Sequence, residues 1–429
     1  MTEPLREKPL TGHFRPDGQP VALAAYREAG GYRALAKALG QEPQEITKTV
    51  IDSHLRGRGG AGFPTGTKWK FMPMGPEARR PKYLTCNADE MEPGTFKDRL
   101  LMEGSPHLLL EGMIIAGHAL QADHAYIFLR WAYRRAAAIL EKAIREAYDS
   151  GLLGKNILGS GTSLDLHLHI SAGRYMCGEE KTMFTALEGR RPLPRTAPPH
   201  VTTSGLWGKP TVNNNVETLC NVPAVVGLGA ERYRQLSHTG DGGTKIYGVS
   251  GKVNRPGGWE LPMGTTMREL LEEHAGGMQK GLACRGAIPG GASTEIVLEK
   301  DFDARMDFNE LQKVGSRLGT GTMIVIDDRT CPVGLLLNLM LFFARESCGW
   351  CTPCREGLPW IARLLQAIEE GRGEPGDLEI LEEHVHLLGP GHTFCMLAPG
   401  AMEPLGSGLK HFREDFERHI REKKCPWGG

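Results

Sequence analysis

A cysteine triplet late in the chain has the spacing of a metal–sulfur ligand set. Two residues separate Cys348 from Cys351 and Cys351 from Cys354, and Cys395 follows a segment broken by proline and glycine. Four thiolates in a three-plus-one arrangement are what a 4Fe–4S cluster requires, whereas structural zinc sites usually use two separated cysteine pairs. The spacing therefore predicts a 4Fe–4S cluster rather than zinc, buried thiols or disulfides.

A glycine-rich loop at Gly57–Lys68 is the second candidate site. It contains GxGxxG, but the dinucleotide fingerprint needs a strand before the loop and a helix directly after it. A helical pattern precedes this loop and Phe63–Gly66 is not expected to open a helix, so a standard Rossmann loop is not predicted. Bare backbone could still approach an anion or a flat ring, with Arg58 and Lys68 supplying charge. The alternative is a mobile surface turn.

Polar segments follow two predicted strands and precede one predicted helix. They are Asn87–Gly94, Gly173–Glu180 and Asn213–Asn215. Ligands of open parallel sheets bind beyond the carboxyl ends of the strands, and carboxylates and amides suit ribose or ribityl hydroxyls. The alternatives are an acidic helix start for the first segment and ordinary asparagine N-caps for the last.

The order of strands and helices predicts an α/β domain with a parallel sheet covered by helices, followed by two smaller domains. The expected boundaries are 1–240, 241–330 for a compact α+β module, and 331–429 for an almost wholly helical domain of about four segments. Ala186–Asn215 is expected to be a long functional loop. The main elements of the first domain are predicted as helices at 21–39, 43–55, 107–120, 133–148 and 216–227 and strands at 83–86, 125–129 and 164–170.

Composition excludes several classes of protein. The 429 residues contain 51 Lys+Arg and 51 Asp+Glu, so nothing indicates nucleic acid or an anionic membrane surface. The longest apolar run, Val333–Phe343, is too short to span a bilayer, and Met1–Lys8 lacks the apolar core of a signal peptide. The other six cysteines are scattered, as in a reducing compartment. We expect a cytoplasmic chain that reaches the inner membrane only through partners.

The predicted cluster itself implies a second cofactor. An iron–sulfur cluster carries one electron at a time, whereas soluble fuels deliver two electrons as hydride. A converter is needed between them, and flavin is the usual one. A cluster beside a glycine loop and carboxylate-rich strand ends therefore predicts a flavoprotein.

Together these motifs resemble the NADH-binding flavoprotein subunit of respiratory complex I. The likeness runs from about residue 10 to 420. It implies an FMN-binding Rossmann-like domain, a ubiquitin-like (soluble-ligand-binding-like) module and a C-terminal four-helix bundle with the 4Fe–4S cluster. The matching segments are Gly57–Lys68, Cys86–Arg99, Gly173–Glu180, Asn214–Pro223, Glu346–Gly357 and Thr393–Cys395.

The resemblance assigns roles to individual residues. NADH is expected to place its adenine near Phe63 and Phe71, with Glu92 and Glu180 as the catalytic pair that orients nicotinamide and ribose. Cys348, Cys351, Cys354 and Cys395 are the expected cluster ligands. The expected FMN contacts are Gly57, Arg58, Gly60, Lys68, Asn87, Asp89, Glu90, Tyr175, Gly178, Glu179, Asn214, Asn215 and Thr218.

The implied activity is that of an NADH dehydrogenase, the electron-input part of an NADH-quinone oxidoreductase translocase in electron transport. Hydride passes from NADH to FMN, and electrons pass singly to the cluster and then to partners. The expected partners are a thioredoxin-like 2Fe–2S subunit and the large multi-cluster subunit of the peripheral arm. No ferredoxin-like or thioredoxin-like extension follows the last motif, which favours this enzyme over the diaphorase subunits of NAD-linked formate dehydrogenases and hydrogenases, the main alternative.

Two departures from the family pattern fall in the expected nicotinamide pocket. Lys181-Thr182-Met183 replaces the usual Thr-Ala-Leu, and Ala197-Pro198-Pro199-His200 replaces the usual Lys-Pro-Pro-Phe. The missing phenylalanine and lysine would weaken adenine stacking and local positive charge, although the His200 ring could still stack. We expect altered but retained NADH binding. The alternatives are a one-electron relay subunit without NADH activity and a zinc-binding scaffold without redox chemistry.

Overall fold

The computed structural model of the chain describes residues 7–428, so most of the segment used to exclude a signal peptide lies outside the described residues. The chain forms two compact units. Within the described residues, the first unit extends to Met91, resumes at Phe96–Tyr247 and ends with Gly258–Thr265. The second contains Glu92–Thr95, Gly248–Gly257 and the chain from Thr266 onward.

The first unit is built on a parallel sheet of four strands. They are β1 (Tyr83–Ala88), β2 (His124–Leu129), β3 (Asp165–Ile170) and β4 (Thr211–Asn215), in the order β3-β2-β1-β4. All three pairings are parallel. β1 is buried along almost its whole length, as expected for a parallel strand covered on both faces.

Eleven helices of the described residues surround this sheet or precede it. The longest, α7, is amphipathic and packs on the sheet through its alanine and leucine face, whereas α6 is buried on nearly all sides. The helices are α1 (Leu23–Glu28), α2 (Arg33–Leu39), α3 (Pro43–Asp52), α4 (Thr65–Lys70), α5 (Lys97–Gly104), α6 (Pro106–Leu120), α7 (Arg134–Asp149), α8 (Glu180–Leu187), α9 (Val201–Ser204), α10 (Val216–Leu228) and α11 (Ala230–Arg234).

The first three predicted strands are confirmed within two residues, but three other expectations about this unit are wrong. The supposed loop Ala186–Asn215 contains the end of α8, all of α9 and the edge strand β4. The predicted helix at 21–39 is two helices, because Tyr32 takes a left-handed φ of 63°. Helix α4 does begin at Thr65, with Pro64 as its N-cap residue. The glycine loop is thus followed by a helix, although α3 rather than a strand precedes it.

The second unit contains a small β-structure and a helical region. β7 (Cys284–Ile288) pairs antiparallel with β8 (Val297–Leu298) and with β9 (Thr322–Asp327), and Gly248–Ser250 pairs parallel with Thr322–Ile324. The strands β5 (Thr244–Ser250) and β6 (Gly257–Pro262) cross the division between the units in sequence. This unit also has two short helices, α12 (Met267–Glu269), which a π turn at Leu270–His274 continues, and α13 (Glu310–Lys313).

The helical region has five helices where about four were predicted. Cys354 lies in the first turn of the second helix. Among residues 7–428, no helix combines the length and apolarity needed to cross a bilayer. The five helices are α14 (Pro332–Glu346), α15 (Thr352–Glu369), α16 (Asp377–Leu387), α17 (Leu397–His411) and α18 (Arg413–Glu422).

Candidate functional site

The strand order places a ligand crevice at the ends of β1 and β4. The chain adds β2 and β3 on one side of β1 and then places β4 on the other side, in the order β3-β2-β1-β4. Ligands of open parallel sheets bind at such a switch point, beyond the carboxyl ends of the strands. Asn87 pairs in register with Asn215, and Cys86 pairs with Asn214. The polar residues predicted to bind a cofactor after these strands therefore lie side by side.

The glycine loop is a closed, hydrogen-bonded structure rather than a loose surface turn. The N–H of Gly57 donates to the carbonyl of Phe63 at 2.9 Å, and Arg56 Nε donates to the carbonyl of Gly62 at 2.6 Å. Gly60 and Gly62 have φ of 121° and 66°, which favour glycine. A Cβ on Gly59 would lie 3.2 Å from the Asn215 side chain, so bare backbone comes close to the end of β4.

Arg58 lies in this loop, but its guanidinium points into the first unit. The side chain is fully buried, and Nη2 donates to the carbonyls of Gly242 and Thr244 at 2.8 and 3.1 Å. Its Nε and Nη1 have no hydrogen-bond partner among the described residues. The Arg58 main-chain N–H donates to Thr218 Oγ1 at 2.8 Å. Arg58 therefore contributes buried charge beneath the loop and ties the loop to α10.

Lys68 extends from α4 towards the end of β4. Its Nζ pairs with the carboxylate of Glu180 and donates to the carbonyl of Asn213 at 2.9 Å. In the next position, the indole of Trp69 donates to Asn214 Oδ1 at 2.9 Å. The helix that the sequence did not predict is thus what carries Lys68 to the crevice.

The acidic segment after β1 is held by hydrogen bonds to other parts of the first unit. Ser171 donates to Asp89 Oδ1 at 3.0 Å, and Asn87 donates to the carbonyl of Gly178 at 3.2 Å. The Glu90 carboxylate instead accepts the main-chain N–H groups of Asp98 and Arg99 at 2.8 and 3.1 Å, at the start of α5. The helix-start alternative therefore holds for the Glu90 side chain.

Burial dominates the ionisation of Glu90. It raises the pKa of this carboxyl to about 7, and the charge of Asp98 acts in the same direction. The two main-chain donors oppose that shift, and Tyr133 also donates to Glu90 Oε2 at 2.9 Å. Glu90 is therefore a fixed part of the crevice wall.

The segment after β3 leaves open space at the crevice. Tyr175–Gly178 forms a 3₁₀ turn, and Glu179 caps α8 by accepting the N–H of Thr182 at 2.7 Å. A Cβ on Gly178 would meet no atom within 4 Å, and its φ lies outside the left-handed range. A planar ligand could therefore lie against Gly178 without any rearrangement.

Asn214 and Asn215 also serve the protein itself. Asn214 Oδ1 accepts from Trp69, and Asn215 Oδ1 caps α10 by accepting the N–H of Glu217 at 3.0 Å. Asn215 Nδ2 donates to Asp98 Oδ2 at 2.6 Å. The N-cap alternative is correct for the Asn215 side chain, which leaves the main chain of this strand end facing the crevice.

Phe63 and Phe71 flank the glycine loop and α4 and are half exposed, at 49% and 55%. Their ring centroids are 6.5 Å apart. Two exposed aromatic rings at this spacing could stack a base. Of the expected catalytic pair, Glu180 lies in the first unit, whereas Glu92 belongs to the second, where its Oε1 accepts the N–H of Ser293 at 2.7 Å.

A buried charge network supports the end of β4, and nothing in the sequence predicted it as a unit. Glu217 accepts from Lys245 at 3.0 Å and lies 3.1 Å from Lys97, which is 2.7 Å from Asp98. Lys97 also donates to Asn215 Oδ1 at 3.1 Å. The members are far apart in sequence, and the only available signal was that Lys97 and Asp98 fall in a motif of the resembling family.

We expect the stability of the chain to rise with pH through Lys245. Burial lowers the pKa of Lys245 to about 8; the charge of Glu217 opposes this shift, and the charges of Lys97 and Arg58 act with it. Between about pH 8 and 10.5 the unfolded chain keeps a proton that the folded chain has lost, so raising the pH favours folding by on the order of 3 kcal/mol. The Tm of the parent minus the Tm of Lys245→Met should increase steadily with pH across this window. Lys155→Met, at an exposed position, is the control, and parallel profiles for parent and Lys245→Met would refute the expectation.

The predicted cluster ligands converge in the second unit. Cys351 is the N-cap residue of α15, Cys354 lies in its first turn, and Cys395 precedes α17. Trp350 and Phe394 make an edge-to-face contact at 6.3 Å, which joins the triplet to the segment of the fourth cysteine.

Electrostatics also indicate that these thiols are neighbours. Burial raises the pKa of Cys354 to about 12, and the charges of Cys351, Cys395 and Cys348 act in the same direction. Ser347 Oγ lies 3.2 Å from Cys354 Sγ and opposes the shift. An iron–sulfur cluster would bind the four cysteines as thiolates and offset their mutual repulsion by its own positive charge.

Comparison with known families agrees with this arrangement. Residues 50–224 match the Nuo51 FMN-binding domain, residues 246–300 match the SLBB domain, and residues 334–419 match the NADH-ubiquinone oxidoreductase-F iron-sulfur binding region. The chain thus combines a Rossmann-like FMN-binding domain, an SLBB domain and a C-terminal helical region that binds a 4Fe–4S cluster. These features define a flavin- and cluster-containing oxidoreductase subunit.

The chain belongs to the family of NADH-quinone oxidoreductase F subunits. It is 55% identical to the F subunits of Salmonella typhimurium and Escherichia coli, over 96% of this chain and 93% of each relative. The NADH-quinone oxidoreductase F subunit numbered 2 of Rhizobium meliloti is 50% identical over 96% of this chain and 97% of that protein. A chain of the NAD+-reducing [NiFe]-hydrogenase in the H2-reduced state superposes with a TM-score of 0.83 at 34% identity, over 98% of this chain and 67% of that one.

Proposed function

We propose that this chain is the electron-input subunit of an NADH:quinone oxidoreductase. It is an NADH dehydrogenase that takes hydride from NADH onto FMN and passes electrons singly to a 4Fe–4S cluster. The observation that carries this function is the crevice at the ends of β1 and β4, lined by amides, carboxylates, Lys68 and bare glycine backbone, in a chain with four converging cysteines. Bound there, FMN would supply the exchange between two-electron and one-electron chemistry.

The residues of the crevice would hold FMN in distinct ways. Gly57 and Gly60 allow close approach of main chain, and Gly178 leaves room for a flat ring. Polar contacts would come from Asn87, Asp89 and Thr218. The remaining proposed contacts, through side chain or main chain, are Arg58, Lys68, Glu90, Tyr175, Glu179, Asn214 and Asn215.

The chain's own residues would position NADH rather than transfer protons. Hydride transfer needs a close, fixed approach of the two rings, which is a matter of orientation. Glu180 is held by Lys68 at the crevice, so its carboxylate is fixed for hydrogen bonding to a ribose or amide group. We propose that Glu92 also hydrogen-bonds to a ribose or amide group of NADH. Both carboxylates would also disfavour an added 2′-phosphate by charge.

Removing both exposed rings should weaken NADH binding without slowing hydride transfer. In the double variant Phe63→Ala, Phe71→Ala we expect KM for NADH to rise about tenfold, because each stacking contact contributes about 0.5–1.5 kcal/mol. kcat should change little, since neither ring orients the nicotinamide. Leu158→Ala removes a side chain of similar exposure elsewhere in the unit and is the control. An unchanged KM in the double variant would place the adenine elsewhere.

The departures from the family pattern are compatible with NADH binding. Lys181 Nζ donates to the carbonyl of Arg195 at 3.2 Å, so its charge is held against the following segment. His200 is exposed at the N-cap of α9 and its ring is available for stacking. These positions support an altered adenine site rather than a lost one.

The surface around the cysteines supports electron exit to a partner. Trp350, Phe394 and Met396 are large apolar side chains at least 40% exposed beside Cys351 and Cys395. Exposed apolar clusters of this kind mark interaction surfaces. We propose Cys348, Cys351, Cys354 and Cys395 as the cluster ligands. The proposed acceptors are the large multi-cluster subunit and a thioredoxin-like 2Fe–2S subunit.

We also propose the wider setting that these assignments imply. The domains would be residues 1–240, 241–330 and 331–429. The chain would act in the cytoplasm and reach the inner membrane through the assembled complex. A second candidate function is the diaphorase part of an NAD-linked hydrogenase or formate dehydrogenase, which the superposition on the NAD+-reducing hydrogenase chain favours.

Anaerobic titration with NADH tests the proposed function. Protein reconstituted with FMN and cluster should lose its flavin absorbance on addition of NADH. Retained flavin absorbance would mean that the chain does not oxidise NADH and acts only as a one-electron relay. Assembly with the subunits of a quinone reductase, as opposed to those of a hydrogenase, in the native host would separate the two candidate functions.

A further inference from the structure

Four metal-ligating side chains meet in the second unit without taking part in the proposed function. They are Cys331, Glu369, His419 and Cys425, and one ligand atom from each lies within 4.8 Å of all the others. Cys331 is the N-cap residue of α14, Glu369 ends α15, His419 lies in α18, and Cys425 follows α18. Four parts of the chain thus supply one group of two thiols, an imidazole and a carboxylate.

The distances among these atoms resemble those of a tetrahedral metal site. Cys331 Sγ lies 3.1 Å from Glu369 Oε2 and 3.3 Å from His419 Nε2, and these two atoms are 3.2 Å apart. Zinc bonds of about 2.0–2.3 Å in a tetrahedron separate the ligand atoms by about 3.3–3.8 Å. The three edges are therefore close to the length that a central ion needs, and the thiol of Cys425 completes the group.

His419 is held in the tautomer that binds a metal through Nε2. Its Nδ1 lies 2.7 Å from the main-chain oxygen of Asp415, which can only accept a hydrogen bond. Nδ1 therefore carries a proton, and in the neutral ring the lone pair of Nε2 faces Cys331 and Glu369. An outer hydrogen bond of this kind is the usual partner of a metal-binding histidine. Trp427 stacks on the buried ring at 5.7 Å and 15°, which fixes its plane.

Cys331 has an outer partner as well. The N–H of Gly334, in the first turn of α14, points at Cys331 Sγ from 3.3 Å. The start of a helix favours negative charge, so this position suits a thiolate ligand. The Glu369 side chain is about one-quarter exposed, which gives an ion a path to the group.

We propose that Cys331, Glu369, His419 and Cys425 form a structural zinc site. Thiolate, imidazole and carboxylate are all zinc ligands, and four protein ligands leave no open position for catalysis. On binding Zn²⁺ the two thiols release their protons to solvent. The ion holds the segment after α18 to the start of α14 and the end of α15. The cysteine triplet lies where these two helices are joined.

Metal analysis of the full chain carrying its FMN and cluster tests this site. We expect about one zinc per chain beside about four iron atoms. Cys425→Ser and Cys331→Ser should lower the zinc content at least tenfold while iron stays constant. Cys284→Ser, another partly buried thiol of the same unit, should change neither metal. Because Cys425 lies after the last helix, its variant keeps the test open even if Cys331→Ser fails to fold.

Zinc K-edge absorption distinguishes this site from zinc bound by emptied cluster cysteines. The proposed site predicts two sulfur neighbours at about 2.3 Å and two nitrogen or oxygen neighbours at about 2.0–2.1 Å. A chelator should lower the Tm of the parent and leave that of Cys425→Ser unchanged. The proposal is overturned by absence of zinc, by zinc that persists in Cys425→Ser, by an all-sulfur zinc shell, or by a Cys331–Cys425 disulfide in protein purified with its thiols blocked.

Discussion

Replacing Cys395 with serine should stop electron delivery to any external partner while NADH still reduces the flavin. The residue is the single proposed ligand outside the triplet, and it adjoins Phe394, which packs on Trp350. Loss of a direct ligand should cost more than the 10–100-fold typical of outer partners, so we expect at least about a 100-fold fall in electron transfer to the partner subunits. Flavin bleaching does not involve the proposed cluster ligands and should keep its rate.

Low-temperature EPR of the NADH-reduced protein measures this effect directly. The signal of the reduced cluster should disappear in Cys395→Ser and remain in Cys284→Ser. A full-intensity cluster signal in Cys395→Ser would mean that another residue supplies the fourth ligand. Loss of flavin bleaching in the same variant would mean that the two sites are not separable.

Enlarging Gly178 should strongly weaken FMN binding with little effect on the fold. A side chain at this position meets no protein atom within 4 Å of its Cβ and would project into the space proposed for the flavin. In Gly178→Leu we expect FMN affinity to fall about 100-fold, about 2.7 kcal/mol, within the usual cost of overpacking a fitted site. Equilibrium dialysis with FMN, alongside the Tm of the protein without FMN, gives both quantities.

Gly240→Leu provides the matched control for this effect. A Cβ on Gly240 would also meet no atom within 4 Å, and the φ of Gly240 is not left-handed, but this glycine lies outside the crevice residues. The control variant should retain FMN with parental affinity. Equal FMN binding by the parent and Gly178→Leu would show that the flavin does not bind at the end of β3.

Local spacing carried most of what the sequence could predict. The cysteine triplet, the glycine loop and the acidic segment after β1 are continuous stretches, and their residue types indicate which ligands they can bind. The strands at 83–86, 125–129 and 164–170 were predictable because each is a buried run or an alternating pattern. The chain has the fold class and cofactors that these patterns and the family resemblance implied.

What failed depends on tertiary pairing. Asn213–Asn215 were expected to end a long functional loop, yet they belong to β4 because β1 supplies their hydrogen-bond partners. Pro64 appeared unable to start a helix, but as N-cap residue of α4 it needs no N–H donor. The pair of Lys245 and Glu217, 28 residues apart, had no local signal. The group around Cys331 and His419 was invisible for the same reason.

The structure also divides the predicted FMN residues by the way in which they can act. Glu90 and Asn215 were chosen for their side chains, and those side chains are fully engaged at the starts of α5 and α10. Gly57, Gly60 and Gly178 have no side chain, and this absence leaves room for a ligand in the crevice. Substitution of the glycines should therefore affect FMN directly, whereas substitution of Glu90 should affect the local fold first.

Rapid anaerobic mixing of the loaded chain with one equivalent of NADH tests the central claim most directly. Flavin absorbance and freeze-quenched cluster EPR should be followed in the same reaction. The account predicts that flavin bleaching comes first, that the cluster signal grows afterwards, and that Cys395→Ser keeps the first phase and lacks the second. Cluster reduction without prior flavin bleaching, or no bleaching at all, would contradict it.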